Sequence, residues 1–279
     1  IKKYIPDIVV AIILIAGIGL LAYPTIGDYI NALHSSKAIG SYVEKTKDLS
    51  KEEKENLLRE AREYNESLVG KVNRYYLNEE EKKRYAHILD ITKTGIMAYV
   101  EIPKLNIYMP VYHGTDEGVL QIAAGHLPGS SLPVGGENTH SLISGHRGLP
   151  SAKLFTDIDK LKKGDLFFIH VFDEVLAYKV NQIKIVLPDD VETLEIEKGK
   201  DYVTLITCTP YGVNSHRLLV RGERTVYKQS ESKIEDMIKK NNLKYIMLTA
   251  GVILALIGMT VLVSVFLIKR RKRRKLNEK

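Results

Sequence analysis

The sequence predicts a mainly β fold: a closed barrel preceded by a helical segment and flanked on both sides by transmembrane helices. Three observations lead there. Charge-free apolar runs lie near both ends of the 279-residue chain. Between them, residues 50–89 read as two capped helices. From Gly95 onward, short runs rich in Val, Ile, Tyr and Thr alternate with Gly, Pro and Asn, the texture of strands joined by turns.

The first apolar run, residues 8–23, follows Lys2 and Lys3. We read it as an uncleaved signal anchor within a segment spanning 1–30, in preference to a cleaved signal peptide. The chain opens with Ile1 rather than Met, so further residues are expected ahead of it. At the other end, residues 245–268 contain no charged side chain. That length suffices to cross a hydrocarbon core of roughly 30 Å. A basic tail follows at 269–279, with eight Lys or Arg against a single Glu, and it accounts for the whole net charge of +7. A nucleic-acid binder carries its basic excess on the folded body, so nucleic acid is not an expected partner. Basic flanks stay cytoplasmic. Both termini are therefore expected inside the cell, with residues 30 to 243 outside it in the cell envelope, and with 229–244 as a juxtamembrane linker.

The helical segment spans 31–94. Ser50 with Glu53, and Asn78 with Glu81, are capping-box pairs that open helices running to about Leu68 and Leu89. Between them, residues 70–77 form a connector holding Tyr75 and Tyr76. The barrel is expected over 95–228. Its strands are 96–102, 107–111, 140–144, 166–170, 176–186, 202–208 and 217–221, in one antiparallel sheet, with short helical insertions at 119–123 and 153–161.

Cys208 is the only cysteine, so no intramolecular disulfide can form. It ends a predicted strand, and Thr209, Pro210, Tyr211 and Gly212 break that strand into a loop, where catalytic side chains commonly sit. A thiol becomes a nucleophile as its thiolate, which needs a nearby positive charge or base. Arg217, nine positions on, begins the next strand. A hairpin would set it opposite Cys208, where a guanidinium can stabilise an oxyanion. A base could come from any of eight histidines. His34 and His87 fall in the helical segment, His170 and His216 in or beside strands. His113, His126 and His146 each neighbour a glycine, and spacing alone chooses no further. His140 and His146 lie close together, yet no paired metal-ligand spacing accompanies them. No phosphate-binding glycine fingerprint and no Gly-x-Ser-x-Gly elbow occur. No metal or organic cofactor is expected.

Thr204-Leu205-Ile206-Thr207-Cys208 with the downstream Arg217 resembles the Thr-Leu-x-Thr-Cys signature and arginine of sortases, cell-surface transpeptidases of Gram-positive bacteria. Ser144-Gly145-His146-Arg147-Gly148-Leu149-Pro150, Glu101-Ile102-Pro103-Lys104 and Thr209-Pro210-Tyr211-Gly212 resemble the pilus-building class C, as does a second, C-terminal span. The resemblance implies an eight-stranded barrel, with His146, Cys208 and Arg217 as the catalytic three. It implies attack by Cys208 on an LPXTG-like sorting signal of a pilin subunit, and resolution of the thioester by a lysine amine of another pilin. Class C members carry a lid with an Asp-Pro-aromatic motif ahead of the second helix. No Asp-Pro pair occurs here, and the matching position reads Arg74-Tyr75-Tyr76-Leu77. A lid built from Tyr75, Tyr76 and Leu77 is therefore the expectation. Two rival readings are anchoring of surface proteins to peptidoglycan, and a non-catalytic, membrane-tethered assembly factor.

Overall fold

The computed structural model describes residues 5–227 and, beyond them, only 243, 247, 250, 251 and 258. Apart from those five residues, the expected linker, C-terminal span and basic tail thus lie outside the described residues. The chain divides into two compact units, Ile1–Tyr29 with Ser230–Lys279, and Ile30–Gln229. Helix α1 (Ile5–Asp48) runs unbroken through Pro24, so the expected anchor and the start of the helical segment share one helix. Among the described residues it is the one helix long and apolar enough to cross a membrane.

Both capping boxes form. The Ser50 hydroxyl accepts from the Glu53 amide at 3.2 Å, and the Glu53 carboxylate accepts from the Ser50 amide at 2.8 Å, opening α2 (Lys51–Leu68). Asn78 and Glu81 exchange the same two bonds at 2.9 Å and open α3 (Glu79–His87). These bonds satisfy amides that the first helical turn leaves without partners. Helix α2 buries Leu58, Ala61, Asn65 and Leu68, a stripe at three- and four-residue spacing.

Each helix is also tied to the barrel by a buried polar side chain. Tyr42 of α1 donates to the Met97 carbonyl at 3.1 Å and accepts from the Phe172 amide at 3.0 Å. Asn65 of α2 bonds both the amide and the carbonyl of Leu132. Tyr85 of α3 donates to the His126 carbonyl and accepts from the Gly114 amide, each at 3.0 Å. Such bonds fix position as well as satisfying polar groups, because a buried donor or acceptor left unpaired is costly.

The barrel strands are β1 (Ile96–Ile102), β2 (Ile107–His113), β3 (Ala124–His126), β4 (Thr139–Ser144), β5 (Leu166–Val171), β6 (Glu174–Val186), β7 (Asp201–Thr209) and β8 (His216–Arg224). They close in the order β1-β2-β3-β4-β7-β8-β6-β5. A one-turn helix, α4 (Glu117–Leu120), precedes β3.

Three expectations need correction. The sheet is not wholly antiparallel, since β2 pairs with β3, and β4 with β7, in parallel. A parallel neighbour requires a crossover, and for β4 and β7 the intervening chain with β5 and β6 supplies it. The three-residue β3 escaped the sequence reading because it is too short to show alternation. The insertion expected at 153–161 is a turn-rich segment whose only helical part is the 3-10 turn Ile158–Lys160.

Alternate residues of β7 and β8, Val203, Leu205, Leu218 and Val220, fill the main core. Leu142, Ile206 and Leu219 belong to a second, smaller cluster on the opposite face of the wall, together with Leu194 from the β6–β7 loop.

Two buried histidines make stability pH-dependent. Burial pushes His126 down to about 3 and His140 to about 4, so both fold as neutral imidazoles. In the unfolded chain each takes a proton near pH 6.5. Their contribution is therefore full above that value and is lost as pH falls below it. Urea titrations should show stability dropping between pH 7.5 and pH 5, by about 2 kcal/mol for each histidine. A flat profile over that range would contradict their burial as neutral groups.

Candidate active site at the ends of β4, β7 and β8

Three strand ends converge on one side of the barrel. In the antiparallel β7–β8 pair, Cys208 lies directly opposite Arg217. Both have the parity of Ile206 and Leu219, so they extend the smaller outer cluster rather than the main core. Cys208 is half-buried. The Arg217 guanidinium donates to the carbonyls of Asn214 and His216, each at 3.2 Å, which holds it at the mouth of the β7–β8 loop.

The parallel β4–β7 pair brings the histidine. Ser144 is in register with Ile206, and the Gly145 amide continues the ladder to the Ile206 carbonyl at 3.0 Å. The Thr207 hydroxyl donates to the Gly145 carbonyl at 2.7 Å. These bonds carry the β4 ladder one residue past its end, to Gly145, the residue that precedes His146. The loop beyond is held just as firmly. The Phe155 amide donates to the His146 carbonyl at 3.1 Å. Arg147 pairs with Asp159, reaches the Thr209 hydroxyl at 3.4 Å and lies over the Tyr211 ring. A β-carbon on Gly145 would lie 2.6 Å from the Phe155 ring, so only glycine fits there.

Geometry separates His146 from the other histidines. His126 and His140 are buried, with both ring nitrogens hydrogen-bonded. His113 bonds the Gly95 and Ile88 carbonyls, His170 pairs with Glu101 at 2.7 Å, and His216 bonds Ser215. His34 and His87 lie on α1 and α3. The His146 side chain is 25% exposed, and its Nε2 stands 3.5 Å from Glu117 Oε2, ion-pair range but long for a hydrogen bond. Glu117, Asp159 and the packing of Tyr211 were not singled out by the sequence. Their partners are distant along the chain, and no local pattern marks them.

The connector ahead of α3 lies on the same outer face. Arg74 is 3% exposed and donates to the Leu194 carbonyl and the Tyr75 hydroxyl, each at 2.7 Å. Glu195 stands 3.7 Å from the guanidinium. The Arg74 carbonyl crosses Gly129 so closely that a β-carbon there would meet it at 2.2 Å. Tyr75 packs on the cluster of Leu142, Leu194, Ile206 and Leu219. Tyr76 does not share that position: it is 83% exposed, while Leu77 is half-buried. Burial, only partly offset by Arg74, raises the Tyr75 hydroxyl above its ordinary value, so it remains a neutral donor. No group of three or more His, Cys, Asp or Glu among the described residues is arranged to hold a metal ion.

Comparison with known proteins identifies the family. Residues 100–225 match the model of the sortase domain. The chain is similar to the crystal structure of sortase C1 from Streptococcus agalactiae, with 49% identity and a TM-score of 0.67, covering 69% of this chain and 100% of that one. It is similar also to Streptococcus pneumoniae sortase C, a structure concerned with catalysis and pilin substrate specificity, with 47% identity and a TM-score of 0.63, covering 70% and 99%. Among curated proteins, Bacillus anthracis sortase A is 31% identical over 133 residues, which cover 48% of this chain. The chain spans about 61% of the length of that protein.

The fit at Gly145 is testable. Gly145→Ala should overpack the Phe155 ring and cost about 1–3 kcal/mol, read from the urea midpoint. Trimming the ring in Gly145→Ala/Phe155→Leu should recover part of that loss relative to Phe155→Leu alone. Equal costs of the alanine in both backgrounds would refute the contact.

Proposed function

Because the chain belongs to the sortase family, with class C structures as its neighbours, we propose that it is a cysteine transpeptidase that polymerises pilin subunits. The observation that carries the reading is the register of three strand ends. It sets a lone thiol opposite a guanidinium, and the β4–β7 pairing, which ends at Ser144 and Ile206, puts a partly exposed imidazole two residues beyond that end.

In this reading Cys208, as thiolate, attacks the threonine carbonyl of an LPXTG-like sorting signal. Arg217 faces the carbon under attack and stabilises the oxyanion that develops there. His146 delivers a proton to the departing glycine amine, leaving the acyl group on sulfur as a thioester. A lysine amine of another pilin then displaces the sulfur, with His146 taking up a proton, and an isopeptide bond results. Water competes as a nucleophile at that stage. The apolar face formed by Leu142, Ile206, Leu219 and Leu194 beside the site favours a substrate side chain over water. Anchoring would come from α1 and from residues 245–268, with both termini cytoplasmic and the barrel outside the cell.

The connector acts here as a lid, with Tyr75 on the substrate-facing cluster and Arg74 as the latch. Arg74 binds the β6–β7 loop through the Leu194 carbonyl and Glu195. It thereby supplies an anchor where an Asp-Pro pair is absent.

Two measurements test these readings. Incubated with an LPXTG-type peptide, the protein should gain the mass of the acyl fragment, and Cys208→Ala should abolish the gain. With purified pilin alone, covalent multimers should form. An acyl adduct without multimers would instead favour a peptidoglycan acceptor, and assembly supported by Cys208→Ala would favour the non-catalytic factor. For the lid, Tyr75→Ala should speed Cys208 alkylation by iodoacetamide several-fold, while Tyr76→Ala should leave it near the original rate. Equal rates for all three proteins would remove the lid.

A further inference from the structure

The exposed carboxylate beside His146 has no role in the scheme above. Its position follows from the chain. Strand β2 ends at His113, α4 follows, and β3 then runs parallel to β2 and antiparallel to β4, with Gly125 opposite Ser144. The antiparallel register sets the chain entering β3 beside the chain leaving β4. Glu117, the first residue of α4, therefore meets His146. The approach is close: a β-carbon on Gly125 would lie 2.2 Å from the Gly114 carbonyl, so the loop carrying α4 is seated directly on β3.

The carboxylate is held but not neutralised. The Gln121 amide, one turn on, donates to Glu117 Oε1, which leaves Oε2 toward His146. Gln121, and then His146, hold the carboxyl below the usual carboxylate range. Its side chain is 71% exposed, and among the described residues no lysine or arginine pairs with it. The nearby guanidinium groups are engaged elsewhere, Arg147 with Asp159 and Thr209, and Arg217 with two carbonyls.

We propose that Glu117 recognises the incoming nucleophile, receiving the ammonium of an acceptor lysine beside His146, whose buried Nε2 has no hydrogen-bond partner. This rests on the transpeptidase reading and adds to it the residue that selects a cationic acceptor. A lysine amine is protonated at neutral pH, and in that form cannot attack. Docked on Glu117, the ammonium passes one proton to His146, and the freed lone pair attacks the thioester carbon. The new C–N bond forms as the C–S bond breaks. Sulfur leaves as thiolate and recovers a proton from His146, and the second proton lost by the nitrogen goes to solvent. Water carries no charge for Glu117 to hold, so the carboxylate favours aminolysis over hydrolysis.

The test uses the full chain in detergent, an LPXTG-type peptide as donor, and two acceptors at pH 7.5. One is Nα-acetyl-lysine amide, which is cationic, and the other is hydroxylamine, which is neutral. Glu117→Gln keeps the shape and removes the charge. It should lower the ratio of kcat/KM for the lysine amide to that for hydroxylamine by about three- to tenfold, as expected for an exposed charge pair. Glu117→Asp should fall between, and raised salt should shrink the difference. An unchanged ratio overturns the proposal. So does a wild-type protein that forms hydroxamate but no lysine product. Absence of any acyl adduct on wild-type Cys208 would strike the transpeptidase reading itself, a separate outcome.

Discussion

The parallel pairing of β4 with β7 is the constraint on which the site depends. It joins segments far apart in sequence and aligns the end of one with the end of the other. Side chains alternate along a strand, so a slip of one residue would turn Cys208 from the outer face into the core. Two features resist that slip. Val203 and Leu205 are buried in the barrel while Ile206 belongs to the outer cluster, and exchanging them would expose core surface. Past the end of β4, the Gly145 amide and carbonyl both remain bonded to β7. The position of His146 is thus inherited from the sheet rather than set by a free loop.

The outer face of that sheet is completed by chain from elsewhere. The β6–β7 loop contributes Leu194, and the connector ahead of α3 contributes Tyr75. Arg74 links these two pieces. A buried guanidinium is tolerated only with hydrogen-bond partners, and here one of them, the Leu194 carbonyl, belongs to the loop being covered, while the other is the connector's own Tyr75 hydroxyl. The connector and the loop are therefore energetically coupled, since displacing either one leaves a buried donor unpaired.

Charge around the site is distributed by strand and loop of origin. The cation opposite Cys208 comes from β8, the carboxylate beside His146 from the segment before β3, and the Arg147–Asp159 pair braces the loop between β4 and β5. Each reaches the site from a different strand end. This is what a closed barrel offers: a rigid wall fixes backbone positions, and the loops at one rim supply groups of opposite sign.

Much of this was legible in the sequence. Both capping boxes are local patterns within four residues, and the structure forms them where the sequence marked them. Strand texture gave the barrel, and the break after Cys208 gave a thiol at a strand end facing Arg217 across a hairpin, because a short antiparallel connection leaves little freedom in register. The parallel pairings, the three-residue β3 and the meeting of Glu117 with His146 left no such trace. Nor did the division between Tyr75 and Tyr76, adjacent residues of one type, of which only the first packs on the cluster. Local hydrogen bonds and alternation are written within a few residues. Which distant strand lies alongside, and so which side chains share a face, is decided only when the barrel closes.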